Sequence, residues 1–274
     1  MCGLGRAVAS SAIMTTPDVI LRVAIALPFG LAFGSFLTVA IHRIPAGESV
    51  VHPRSRCPGC GTPLRTIDNI PVISWLLLRG RCHACGMRIS AVYPLTELAC
   101  GASFVGAALV WDDAWAAALF APFLALLVAI SVIDLRHRKI PNRLIYPSIV
   151  VAAIHVVAAD LAGSELSAVR AGLGFLAYGV GLLVIALISP RGMGMGDVKL
   201  AALIGLVCGT LGLRFVGVAA GAGILVGGLA ALIALLSGAG RKSALPFGPF
   251  LAVGAAVALF AGDPIADAYL RLFR

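Results

Sequence analysis

Eight stretches of this sequence are apolar for long enough, or nearly long enough, to cross a lipid bilayer, and that leaves the chain few ways to fold. A spanning helix needs about 20 mainly apolar residues. The candidates are 19–41, 95–111, 114–133, 144–159, 170–189, 198–213, 215–237 and 244–262. Lipid offers no partner to a bare amide, so each stretch must satisfy its own backbone as a helix. Two of them, 144–159 and 198–213, are short, and one could be less tilted or partly re-entrant. Asp112, Asp113 and Arg214 break what would otherwise be continuous apolar runs. The expected fold is therefore an all-α polytopic membrane protein of about eight transmembrane helices. Composition agrees, with 60% hydrophobic and 12% charged residues against about 25% charged in a soluble domain. Disordered chains, disulfide-rich miniproteins and ordinary cytosolic enzymes are excluded. The first run is too long and too rich in glycine for a cleaved signal peptide and lacks an A-x-A exit.

The chain divides into an N-terminal tail (1–18), a first span (19–41), one sizeable polar loop (42–93) and a second membrane unit (94–274). The net charge of +9 invites a nucleic-acid reading, and the placement of the charges argues against one. With the 42–93 loop in the cytoplasm and the spans alternating from there, 15 of the 21 basic residues lie inside. The inner side then carries +10 and the outer side −1. Basic residues near span ends set orientation, so the excess is a topology signal, with attraction to anionic lipid as a consequence. Nucleic acid is not an expected partner; the bilayer is. The halves show no inverted repeat, which weakens a transporter reading.

The polar loop carries Cys57-Pro-Gly-Cys60 and Cys82-His-Ala-Cys85, 21 residues apart, each pair followed by glycine (Gly61, Gly86). Two such turns can supply four thiolates to one tetrahedral ion with no open position, the pattern of a structural zinc site. A segment of 52 residues buries little surface by itself, so a metal staple is apt. Two disulfides or idle thiols are the other readings, and reducing cytoplasm disfavours the first. His83 reads as a solvated side chain. Cys100 and Cys208 read as small apolar packing groups.

Asp134 closes the apolar run of the third span, and Asp197 opens the sixth within Gly194-Met-Gly196-Asp197. Antiparallel threading puts both carboxyls at one depth on one side. Two carboxyls that close share a proton, so one can act as base on a water while the other polarises a carbonyl. Gly192, Gly194 and Gly196 keep side chains away from Asp197 and let an extended substrate backbone approach. Each aspartate also has a plainer reading: Asp197 as the cap of its own helix, Asp134 as an interfacial partner of Arg136, Arg138 or Lys139.

At this point an ordered series of motifs resembles the type IV prepilin peptidases. It comprises Gly34-Ser-Phe-Leu-Thr-Val-Ala-Ile-His-Arg-Ile-Pro45, Ser55-Arg-Cys-Pro-Gly-Cys60, Asn69-Ile-Pro-Val-Ile-Ser74 and Leu78-Arg-Gly-Arg-Cys-His-Ala-Cys85. It continues with Tyr93-Pro-Leu-Thr-Glu97, Asp134 with Ile140-Pro-Asn142, Gly194-Met-Gly-Asp-Val-Lys199, and Pro246-Phe-Gly-Pro-Phe250. The series runs from about residue 30 to 255, nearly the whole chain. The resemblance implies an aspartic peptidase of the bacterial inner membrane, multi-pass, with Asp134 and Asp197 catalytic on the cytoplasmic side. Its implied partner is a prepilin or pseudopilin precursor, cleaved after the glycine of a short basic leader. The four-cysteine loop is similar to that of the bifunctional members, which hold Zn²⁺ and methylate the new N-terminus with S-adenosylmethionine. Glu48 and Asn69, with Asp68 and Glu97, are the polar candidates for that cofactor. Thr38 stands where the first stretch commonly carries Asn. A peptidase without methylation, and a non-catalytic transporter with a zinc-stapled loop, are the other functional readings; no sequence feature fixes an oligomeric state.

Overall fold

A computed structural model describes residues 15–189, 193–237 and 245–272. The first fourteen residues of the expected tail, Gly192, and the basic residues Arg191, Arg241 and Lys242 lie outside the described residues. Helix α1 (Thr16–Arg43) begins inside the expected tail. Thr15 is its cap, Pro17 sits in the first turn and Asp18 faces the positive helix end, all start signals.

The polar loop follows, with a 3₁₀ turn (Thr66–Asn69) and a short helix α2 (Ile73–Leu77). The remaining helices are α3 (Val92–Val110), α4 (Ala114–His137), α5 (Asn142–Leu161), α6 (Ala168–Ile188), α7 (Met195–Gly209), α8 (Leu213–Leu236) and α9 (Gly248–Arg271). Helix α4 starts where Asp113 accepts the Trp115 amide, and α6 where Ser167 accepts that of Arg170. α4 ends where Arg138 turns left-handed at φ +52°. Isolated bridges in the loop are the only strand-like pairings among the described residues.

The eight expected runs each become a helix, and seven are long and apolar enough to cross a membrane. The eighth, α7, has 15 residues, about 22 Å at 1.5 Å per residue, less than a bilayer core. Eleven of the fifteen are buried, the signature of a helix apolar on all sides and enclosed by its neighbours. Thr210, Leu211 and Gly212, the last at φ +130°, then turn the chain into α8. Helices α1/α3, α6/α7 and α8/α9 pack as close antiparallel pairs. The α6/α7 seam is very close: a Cβ on Gly174 would lie 2.2 Å from the Gly205 oxygen, and one on Gly205 2.2 Å from the Gly174 oxygen. Any side chain there would force the helices apart, as expected of membrane packing through small residues. Helix α4 runs through the centre, and its last turn and the first turn of α7 border one cavity at one end of the bundle.

Candidate active site

Asp134 lies one turn before the end of α4 and is only 5% exposed. The backbone N–H of Gly248, first residue of α9, donates to its Oδ2 at 2.9 Å. The free amides at a helix start carry partial positive charge, so α9 aims its positive end at this carboxylate. A Cβ on residue 248 would come within 2.8 Å of the same oxygen, which is why the approach requires glycine. No ion pair joins Asp134 to Arg136, Arg138 or Lys139 among the described residues; backbone takes their place.

Asp197 is the third residue of α7 and accepts the Gly194 amide at 3.2 Å. It therefore caps its own helix, and the capping and site readings hold together: one oxygen is spent on Gly194 while the side chain still borders the cavity. That cavity, of about 480 Å³, is lined by both aspartates, by Gly194 and Gly196, and by Ile44 and Pro45 at the end of α1. Arg138, Lys139 and Lys199 also line it. Ile140 packs against Gly196, where a Cβ would sit 3.0 Å from the Ile140 Cβ. Lys199 Nζ donates to Asn142 Oδ1 at 3.0 Å and lies 5.0 Å over the Tyr146 ring, tying the start of α5 to the start of α7. Two carboxylates, two glycines and three cations thus face one polar opening at the ends of the helices. Such a set can activate water beside a peptide backbone held at the rim.

In the polar loop the two cysteine turns are near copies. Cys57 N–H donates to Thr62 O and Gly61 N–H to Cys57 O, both at 2.9 Å. Cys82 N–H donates to Met87 O at 2.8 Å and Gly86 N–H to Cys82 O at 3.0 Å. Gly61 and Gly86 adopt φ +72° and +71°, the left-handed conformation glycine allows without strain. The four sulfurs lie within 4.8 Å of one another, Cys57 and Cys85 at 3.8 Å. A tetrahedral ion with bonds of ~2.3 Å requires sulfur–sulfur edges of ~3.8 Å, so the donor set fits a metal. The Thr62 hydroxyl, and then its amide, pull the Cys60 thiol down to about 6, which readies one ligand at neutral pH. His83 is not simply solvated: its Nδ1 meets Asp68 Oδ2 at 2.9 Å, and Asp68 also takes the Arg65 guanidinium at 2.9 Å. The Arg65 bonds hold the Asp68 carboxyl below its usual range.

The cofactor candidates are scattered. Asn69 lines a second cavity of about 460 Å³ with Arg43, Arg54 and Arg65, Glu48 is exposed and borders neither cavity, and Asp68 is spent on Arg65 and His83. Glu97 is buried in α3 and accepts the Val72 amide at 2.8 Å. Thr38 is buried, its hydroxyl bonded back to Ser35 O at 2.7 Å. Cys100 and Cys208 are buried, as a packing role requires. Gly248, Asn142 and Lys199 received no role from sequence, although the motifs containing them stood out.

Residues 29–111 match the bacterial peptidase A24 N-terminal domain, and residues 121–240 the type IV leader peptidase family. A prepilin leader peptidase/N-methyltransferase of Bacillus subtilis (strain 168) is 36% identical over 89% of this chain and 96% of its own length. A relative of the same name from Stutzerimonas stutzeri is 35% identical over 91% and 94%, and one from Burkholderia pseudomallei (strain 1026b) 35% over 89% and 87%. No solved structure matches. With both family models in order and relatives of this identity over nearly its full length, the chain belongs to the type IV leader peptidase family.

Proposed function

We propose that this protein cleaves the leader from type IV prepilin-like precursors and then methylates the new N-terminus, with Asp134 and Asp197 as the catalytic pair. The observation that carries the reading is the single cavity bordered by both carboxylates at one end of the bundle. One carboxylate takes a proton from water as its oxygen attacks the scissile carbonyl; the other, protonated, donates to the carbonyl oxygen. Collapse breaks the C–N bond, and the leaving amine carries away a proton. The precursor's apolar helix lies against the spans, and its basic leader reaches the aspartates at the cytoplasmic face. The charge bias supports a cytoplasmic position for that face and for the 42–93 loop, in the cytoplasmic (inner) membrane. Residues at helix ends, and not at mid-membrane, set this apart from a transporter pathway, where ionisable groups line the interior.

The four cysteines would hold Zn²⁺ as a structural ion that keeps the loop folded. S-adenosylmethionine, when bound, supplies an electrophilic methyl group. Of this chain's residues, Asn69 with Arg43 or Arg54 in the second cavity would hold it, an arginine taking the cofactor carboxylate. Incubation of the purified protein with a precursor bearing glycine before the cleavage site tests the activity. Mass analysis should show loss of the leader, plus one methyl group only when S-adenosylmethionine is present; an intact precursor would contradict the proposal.

Gly248→Ala provides a narrower check on Asp134. The added methyl meets Oδ2 and displaces the backbone donor, and a hydrogen bond to a charged group is worth about 1.5–3 kcal/mol. Cleavage is expected to fall by about tenfold or more, with thermal stability changed much less. Unaltered cleavage would show that the α9 amide does not position Asp134.

A further inference from the structure

Segment 67–77 of the polar loop shows an apolar face that no described residue covers. Ile67 and Ile70 are three apart across the 3₁₀ turn, and Ile73, Leu76 and Leu77 fall on one side of α2 by their i, i+3, i+4 spacing. All five are exposed, Leu76 at 60% and Leu77 at 74%. Five large aliphatic side chains gathered in one short segment are not an ordinary water-facing surface.

Their height in the molecule indicates what covers them. Val72, the residue before α2, donates its amide to Glu97 Oε2 at 2.8 Å, and Glu97 is buried on α3 with Ser35 of α1 beside it. Ile70 and Pro71 share a cavity wall with Val39 of α1. Val39 and Ser35 lie four and eight residues before the end of α1 at Arg43, about 6 and 12 Å back along the helix. They stand within an apolar run that lasts to Ile41. The segment is therefore pinned beside the last two turns of a spanning helix. Charge complementarity adds to this: Arg79 and Arg81 follow the segment and are exposed, whereas Arg65 before it is paired with Asp68. Arginines close to an anionic leaflet each contribute about 1 kcal/mol of attraction.

The geometry points to an interfacial anchor: residues 67–77 lie in the bilayer surface, their aliphatic side chains at the acyl-chain border and Arg79 and Arg81 against lipid phosphates. The cysteine-stapled loop is thereby held flat on the membrane beside the helix ends, and does not extend into solvent. The inference requires only that the long helices span, and is independent of the peptidase reading.

The test uses the full-length protein in vesicles of mixed zwitterionic and anionic phospholipid, with tryptophan placed at an already exposed site, Leu77→Trp, and at a control in the same loop, Glu48→Trp. Lipids carrying a quencher high on the acyl chain should quench the added emission at residue 77 at least about twofold more than that at residue 48, with a blue-shifted spectrum only at 77. Equal quenching at both sites, or a water-like, unquenched signal at 77, would overturn the anchor. A signal at 77 shielded only after a precursor is added would overturn it as well, and assign the face to protein. Leu76→Trp, read alongside, guards against a local effect of one substitution.

Discussion

Asp134→Asn and Asp197→Asn, made separately, are each expected to lower leader cleavage by about 10²–10⁴-fold, the usual worth of a positioned acid or base. Asparagine is nearly isosteric. Its side-chain oxygen can still accept the Gly248 amide at position 134 or the Gly194 amide at position 197, so neither change empties the site. What is lost is the capacity to hold and pass a proton. A purely structural role predicts a different pattern: thermal stability would fall and cleavage by the surviving folded protein would stay near normal. Measuring kcat and KM with a precursor, beside an unfolding midpoint, separates the two. If the aspartates act in the chemical step, kcat falls while KM moves little. Methylation of a peptide supplied already cleaved should survive both substitutions.

The second large effect concerns the loop. Cys57→Ser is expected to abolish stoichiometric zinc, and prolonged treatment with a strong chelator to do the same to the wild type. Structural zinc contributes on the order of 10–16 kcal/mol to small domains of this kind. The loop has little else to replace it, since α2 and the 3₁₀ turn have no buried residue between them. Methyl transfer should be lost with the metal, whereas cleavage, whose residues sit on α4 and α7, should persist. Acid should act like the chelator: protons compete with the metal for the thiolate ligands, so metal retention is expected to fall as pH is lowered. Unchanged metal content in Cys57→Ser would remove the four-thiolate assignment.

What could be read from residues alone was whatever depends on local pattern. Apolar runs gave the helices because lipid leaves the backbone no alternative, and the two cysteine turns declared themselves by spacing and by their glycines. Even α7 was visible as a short run, although only its packing shows it to be enclosed. What escaped was contact between distant segments made through the backbone. Gly248 reaches Asp134 across 114 positions with an amide every residue possesses, so no side-chain pattern announces it. The Val72–Glu97 bond hides for the same reason, so from sequence Glu97 is only a cofactor candidate and not a buried anchor. Asp68 was a cofactor candidate until Arg65 and His83 were found on it. Lys199 has no role legible in the sequence, because its grip on Asn142 depends on how α5 and α7 are brought together.

The most direct test of the paired-carboxylate account is a double-mutant cycle on single-turnover cleavage, comparing Asp134→Asn, Asp197→Asn and the two together. Groups that work as one unit are strongly non-additive, so the double variant should be about as slow as either single one. Losses that simply multiply, or a single variant that cleaves at the wild-type rate, would contradict a shared site.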